Sequence, residues 1–72
     1  MHEIRVSIVS PEAVDHGVAE LWAASELIGY TILEDSDLML RIEPRRDHTA
    51  VVVGAQSLAR ALSRAKHLLE HY

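Results

Sequence analysis

Residues 10–29, SPEAVDHGVAELWAASELIG, join the first strand to everything after it, so their conformation decides how the sheet is wired. Ser10 can cap a helix, and Pro11 fits a first turn, where no amide donor is needed. Glu12 and Asp15 suit the positive end of a helix dipole. On a helical wheel Val14, Val18, Leu21, Ser25 and Ile28 form one stripe, widened by Gly17 and Ala24, with Glu12, His16 and Glu20 opposite. The pattern predicts a helix over residues 11–28 with Gly29 as its left-handed stop.

Upstream, Ile4, Val6 and Ile8 alternate with Glu3, Arg5 and Ser7, the period of a strand with one buried face. Downstream, residues 30–34 read as a short strand and Asp35-Ser36-Asp37 as a polar turn. Leu38, Leu40 and Ile42 then alternate with Met39, Arg41 and Glu43, and Pro44, lacking a donor amide, belongs at the strand end. Residues 44–48 form a second turn, and the β-branched run 49–53 predicts a fourth strand. After Gly54, Ala55, Leu58, Leu62, Ala65, Leu69 and Tyr72 recur at helical spacing, flanked by Ala61 and Leu68. Arg60, Arg64, His67 and His71 make a second stripe on the far side of that helix.

The expected architecture is α+β, a two-layer sandwich in β-α-β-β-β-α order. Its four-stranded mixed sheet carries both helices on one face, and residues 1–72 form a single domain. The first crossover makes the first two strands parallel. The other sheet face is then open, with Arg5, Thr31, Leu33, Met39 and Arg41 on it.

A chain of 72 residues sits near the small end of what folds alone, and small domains gain stability from disulfides, metals or a partner subunit. It has no cysteine, which excludes disulfides and thiolate metal sites and leaves self-association as the expected supplement. Uncharged runs fall far short of the roughly 20 residues that span a bilayer. No basic segment leads into an apolar one at the start, so the expectation is a cytoplasmic protein without a membrane partner.

Charge is divided along the chain. Residues 1–38 carry eight acidic side chains and one basic, whereas residues 39–72 carry six basic and three acidic. An acidic first helix beside a basic last helix is the simplest packing that accounts for the split. The functional reading gives the basic half a nucleic-acid role, with Arg45, Arg46, Arg60, Arg64 and Lys66 tracking phosphates.

Other motifs point away from chemistry. His67 and His71 lie one helical turn apart and could share a metal, but no third ligand accompanies them, so no metal site is expected. Glu12, His16 and Glu20 form a polar row without a pocket signal. The acidic stretch 34–37 lacks the glycine and terminal glutamate of a calcium loop. No nucleophile motif, phosphate-cradling loop or dinucleotide fingerprint is present, and neither an enzyme, a cofactor nor a small-molecule substrate is expected.

The expected element order resembles that of ribosome-hibernation factors, related in shape to double-stranded RNA-binding domains, which implies ribosome or RNA binding. Separately, residues 54–72 resemble the glycine-then-helix segment of HicB-type antitoxins. The first expectation for function is a non-enzymatic protein-binding or regulatory module that self-associates, with Arg5, Leu33, Met39 and Arg41 at the interface. The alternative is RNA or ribosome binding through the basic second half.

Overall fold

The computed structural model of the chain describes residues 3–9 and 17–71. Four strands, β1 (Ile4–Val9), β2 (Val18–Ala23), β3 (Glu26–Glu34) and β4 (Asp37–Ile42), are followed by one helix, α1 (Ala55–Glu70). The sheet order is β1-β2-β3-β4, and every neighbouring pair is antiparallel. The protein is therefore an antiparallel meander with a C-terminal helix packed on it.

This overturns the mixed sheet with two helices. The caps proposed at Ser10, Pro11, Glu12 and Asp15 lie outside the described residues. Beyond them, the residues expected to continue a helix form β2 and the start of β3. The stretch satisfies a period of two as well. Ala19, Leu21 and Ala23 face the core, while Val18, Glu20 and Trp22 face away. Packing against β1 decides between the two periods, since a strand buried on one face draws its stability from its neighbours. Because β1 and β2 pair antiparallel, no parallel pair exists among the described residues, Glu20 and Glu26 sit on strands rather than on a helix facing α1, and the element order behind the resemblance to hibernation factors is lost.

The β2–β3 hairpin carries no turn signal in its sequence. Ala24 and Ser25 join β2 to β3, and Ala24 takes φ 54 with no glycine or asparagine to mark it. The β3–β4 turn is the reverse case. Asp35 and Ser36 both have positive φ, as a tight two-residue hairpin demands, and the acidic turn was expected there. Gly29 is no helix stop. It lies within β3, opposite Ile42, where a Cβ would run into the Arg41 carbonyl of β4. Beside it the β2–β3 register shifts, pairing Leu21 with Gly29 but Trp22 with Leu27, so Ile28 is an extra residue turned into the core.

Residues 49–53, expected to be a fourth strand, belong to no strand and join no ladder among the described residues. Val51 and Val53 still pack against the core while Val52 points to solvent, so the alternation reports one-sided burial rather than a ladder.

The helix fell where expected, but its buried line is rotated. Ser57, Ala61, Ala65 and Leu69 face the sheet, whereas Leu58 and Leu62 are half-buried flanks. Small residues along the middle let α1 approach the sheet closely over β1, β2 and β3. The core is Ile4, Ala19, Leu21, Ile28, Ala61, Ala65 and Leu69, with Thr31 fully buried among them and donating its hydroxyl to the Ala19 carbonyl at 3.4 Å. The cover of α1 stops short of β4. Leu40 and Ile42 share the core-side face of the sheet yet remain 36% and 55% exposed.

Candidate interaction surface

The strand registers fix what the uncovered face carries. One row crosses all four strands as Val9, Val18, Ile32 and Met39; these residues line one shallow apolar depression. The next row is Ser7, Glu20, Tyr30 and Arg41. The third holds Arg5, Trp22 and Leu27.

Polar groups on this face are tied to one another. The Arg5 guanidinium lies 5.8 Å from the Trp22 ring centre, and the indole Nε1 donates to Glu20 Oε1 at 3.3 Å. Arg41 Nε lies 3.3 Å from Glu43 Oε1. The same Glu43 carboxylate accepts a hydrogen bond from the Tyr30 hydroxyl, which pushes the phenol above its ordinary pKa. Met39 is 44% exposed, with no described element over it.

Of the four expected interface residues, the structure places Arg5, Met39 and Arg41 on this face. Leu33 is on the other side, packed against the core, and Thr31 is buried there too. The reason is the turn. A two-residue turn at Asp35-Ser36 pairs Glu34 with Asp37 and therefore Leu33 with Leu38, on the face that α1 covers. Sequence reasoning missed Trp22, Tyr30 and Ile32, the first because its strand was read as helix.

The basic residues fall into separate places. Arg60 and Arg64 line a depression beside Glu3 and Ile4 at the β1 edge, where Arg60 Nη2 lies 3.4 Å from Glu3 Oε1. Arg45 and Arg46 instead border Trp22 and Tyr30, beside the β2–β3 turn. Arg45 Nη2 is 3.4 Å from Glu26 Oε2, and its Nε is 3.9 Å from Asp47 Oδ1. Lys66 is exposed on α1. Among the described residues the acidic and basic halves meet in the pairs Glu3 with Arg60 and Glu26 with Arg45, which join strands or their flanks to α1 and the 44–48 turn. Exposed pairs of this kind contribute little to stability.

Asp47 accepts hydrogen bonds from the Thr49 hydroxyl at 2.6 Å and the Thr49 amide at 3.1 Å, and these hold its carboxyl below the ordinary aspartate pKa. A depressed folded-state pKa stabilises the fold above the unfolded value, and that contribution disappears as pH falls through the folded value. An NMR titration should place the Asp47 midpoint below that of an unstructured aspartate. Thr49→Val should raise it by removing the hydroxyl donor; an unchanged midpoint would mean that this turn does not persist in solution.

The His67 and His71 rings meet at a tilt at the end of α1, their centres 4.5 Å apart. Among the described residues no group of three histidine, aspartate or glutamate side chains could hold a metal ion, and no helix is long and apolar enough to cross a membrane.

The class defined by this geometry is a small α+β domain, an antiparallel four-stranded meander capped on one face by a single helix. No protein-family model, curated protein or solved structure matches the chain.

Proposed function

We propose that the chain is a non-enzymatic protein-binding or regulatory module that self-associates, with the uncovered sheet face as its working surface. One observation carries the reading: Val9, Val18, Ile32 and Met39 form a continuous apolar row that no described element covers. Aliphatic side chains set among paired charges and two aromatics have the composition of a protein interface. The small core supports the same reading, because a second subunit supplies buried area that a short chain lacks. The cytoplasm is the proposed compartment, in keeping with a chain free of cysteine.

An NMR dilution series tests the surface. The amide signals along this row should move with concentration, most at Met39 and Ile32 and least at Val9, and Met39→Lys should abolish the movement with the fold intact. Shifts confined to α1, or none at all, would remove this face from consideration. The competing reading, RNA binding through Arg45, Arg46, Arg60, Arg64 and Lys66, predicts an affinity for RNA that falls steeply with salt and is lost when the arginines become glutamate. The separation of these residues between the β1 edge and the β2–β3 turn, with Glu3, Glu26 and Asp47 against them, favours the protein reading.

A further inference from the structure

We propose that self-association runs through the edge of β4 that no described strand pairs, two copies joining this strand antiparallel about a two-fold axis at Met39 to build one eight-stranded sheet. The proposal rests on the self-associating reading above and specifies its partner surface and register.

The free backbone groups are fixed by the hairpin. Glu34 and Asp37 close the two-residue turn, and further along the same register the Glu43 amide donates to the Ile28 carbonyl at 2.8 Å. Odd-numbered β4 residues therefore bond to β3. The N–H and C=O groups of Leu38, Leu40 and Ile42 point outward, away from the sheet. An edge like this is a template for another strand unless something blunts it. The opposite edge is blunted, since α1 lies over β1 and brings Arg60 and Arg64 beside Glu3 and Ile4. On β4, Met39, Leu40 and Ile42 are exposed on both faces of the strand, and past Asp37 its sole charge is Arg41.

Charge selects the register. Centred on Met39, each Asp37 faces Arg41 of the second copy, Leu38 faces Leu40, and the two Met39 side chains meet at the axis. Centring on Leu40 would oppose Asp37 to Glu43, and centring on Arg41 would oppose two arginines. Centring on Leu38 would run the pairing into the Asp35-Ser36 turn. Arg41 is largely exposed and free to swing from Glu43 towards the incoming Asp37. The chosen register also joins the apolar row to its copy, giving Val9, Val18, Ile32, Met39 and then the same residues in reverse across the axis. Leu40, which a face-to-face dimer would leave bare, gains Leu38 of the second copy as a neighbour on the core side. The contact is self-complementary and closes on itself, as a two-fold interface must. Being small, it should dissociate in the micromolar range.

Three measurements test it. Because the chain has no cysteine, Met39→Cys introduces a single thiol at a non-hydrogen-bonded pair, where facing Cβ atoms suit a disulfide. It should cross-link two chains under mild oxidation, whereas Arg41→Cys should not. Asp37→Arg or Arg41→Asp alone should weaken the dimer about tenfold, and the double exchange Asp37→Arg with Arg41→Asp should restore it. The Leu38 and Leu40 amides should exchange rapidly in the dilute monomer and become protected in the dimer. A dimer in which those amides stay unprotected and the charge exchange fails to rescue would overturn the edge pairing while leaving self-association standing. Assemblies that grow beyond two chains would also overturn it, since they require an open contact such as β1 on β4. A chain that is monomeric throughout would overturn both readings.

Discussion

Leu21→Ala should cost about 3–4 kcal/mol, the largest loss expected from a single truncation in this chain. Leu21 is fully buried in the middle of β2, beneath α1, between Val6 on one side and Gly29 on the other. Gly29 has no side chain with which to fill the space, so the cavity cannot collapse from that direction. A domain of this length has a total stability of roughly 4–11 kcal/mol, so much of the margin is lost. The melting temperature should fall by roughly 15–25 °C. Leu62, by contrast, is a half-buried flank of the helix, and Leu62→Ala should cost only about 1–2 kcal/mol. Urea denaturation of the two variants separates the architectures. In the two-helix arrangement read from the sequence, Leu62 lies on a buried stripe just as Leu21 does, and its loss would be comparable to that of Leu21.

Gly29→Ala should cost about 2–3 kcal/mol although it adds one methyl group. The new Cβ meets the Arg41 carbonyl, with the Arg41 carbon and Ile42 Cα at 3.0 Å behind it. These are backbone atoms, so relief requires β4 to move rather than a side chain to rotate. The damage should be local in kind. Amide shifts should change most from Arg41 to Glu43, and protection of the β3–β4 hydrogen bonds should fall. Since β4 is also the proposed pairing edge, self-association should weaken in the same variant. A Gly29→Ala protein as stable as the parent, with β4 signals undisturbed, would contradict the register that places Gly29 against Ile42.

What could be read in advance follows from how many constraints act on each segment. Ile4, Val6 and Ile8, and likewise Leu38, Leu40 and Ile42, alternate without competing signals, so β1 and β4 were legible. The α1 segment was legible too, because its apolar spacing runs over four turns. Its buried line was not, since Ala61 and Ala65 win the centre by allowing close approach, which a wheel weighted by hydrophobicity does not express. Residues 17–28 fit two periods, are rich in helix formers, and turn at Ala24-Ser25 without the usual turn residues. Only pairing with β1 resolves them, and that is a tertiary effect. Leu33 is a different case. The two-residue turn at Asp35-Ser36 implies that it shares a face with Leu38, so its orientation was available from the turn length alone. Arg5, Met39 and Arg41 were placed on the uncovered face by alternation. The β4 edge needed the strand order, which local pattern does not contain.

Sedimentation equilibrium across a wide range of protein concentration tests the central claim most directly, that a sheet which the described residues cover on one side and leave unpaired at β4 drives the chain to self-associate. The account predicts a mass of 8.0 kDa at high dilution that rises to twice that value and stops there as concentration passes through the micromolar range. A mass that stays at 8.0 kDa at every concentration would contradict it.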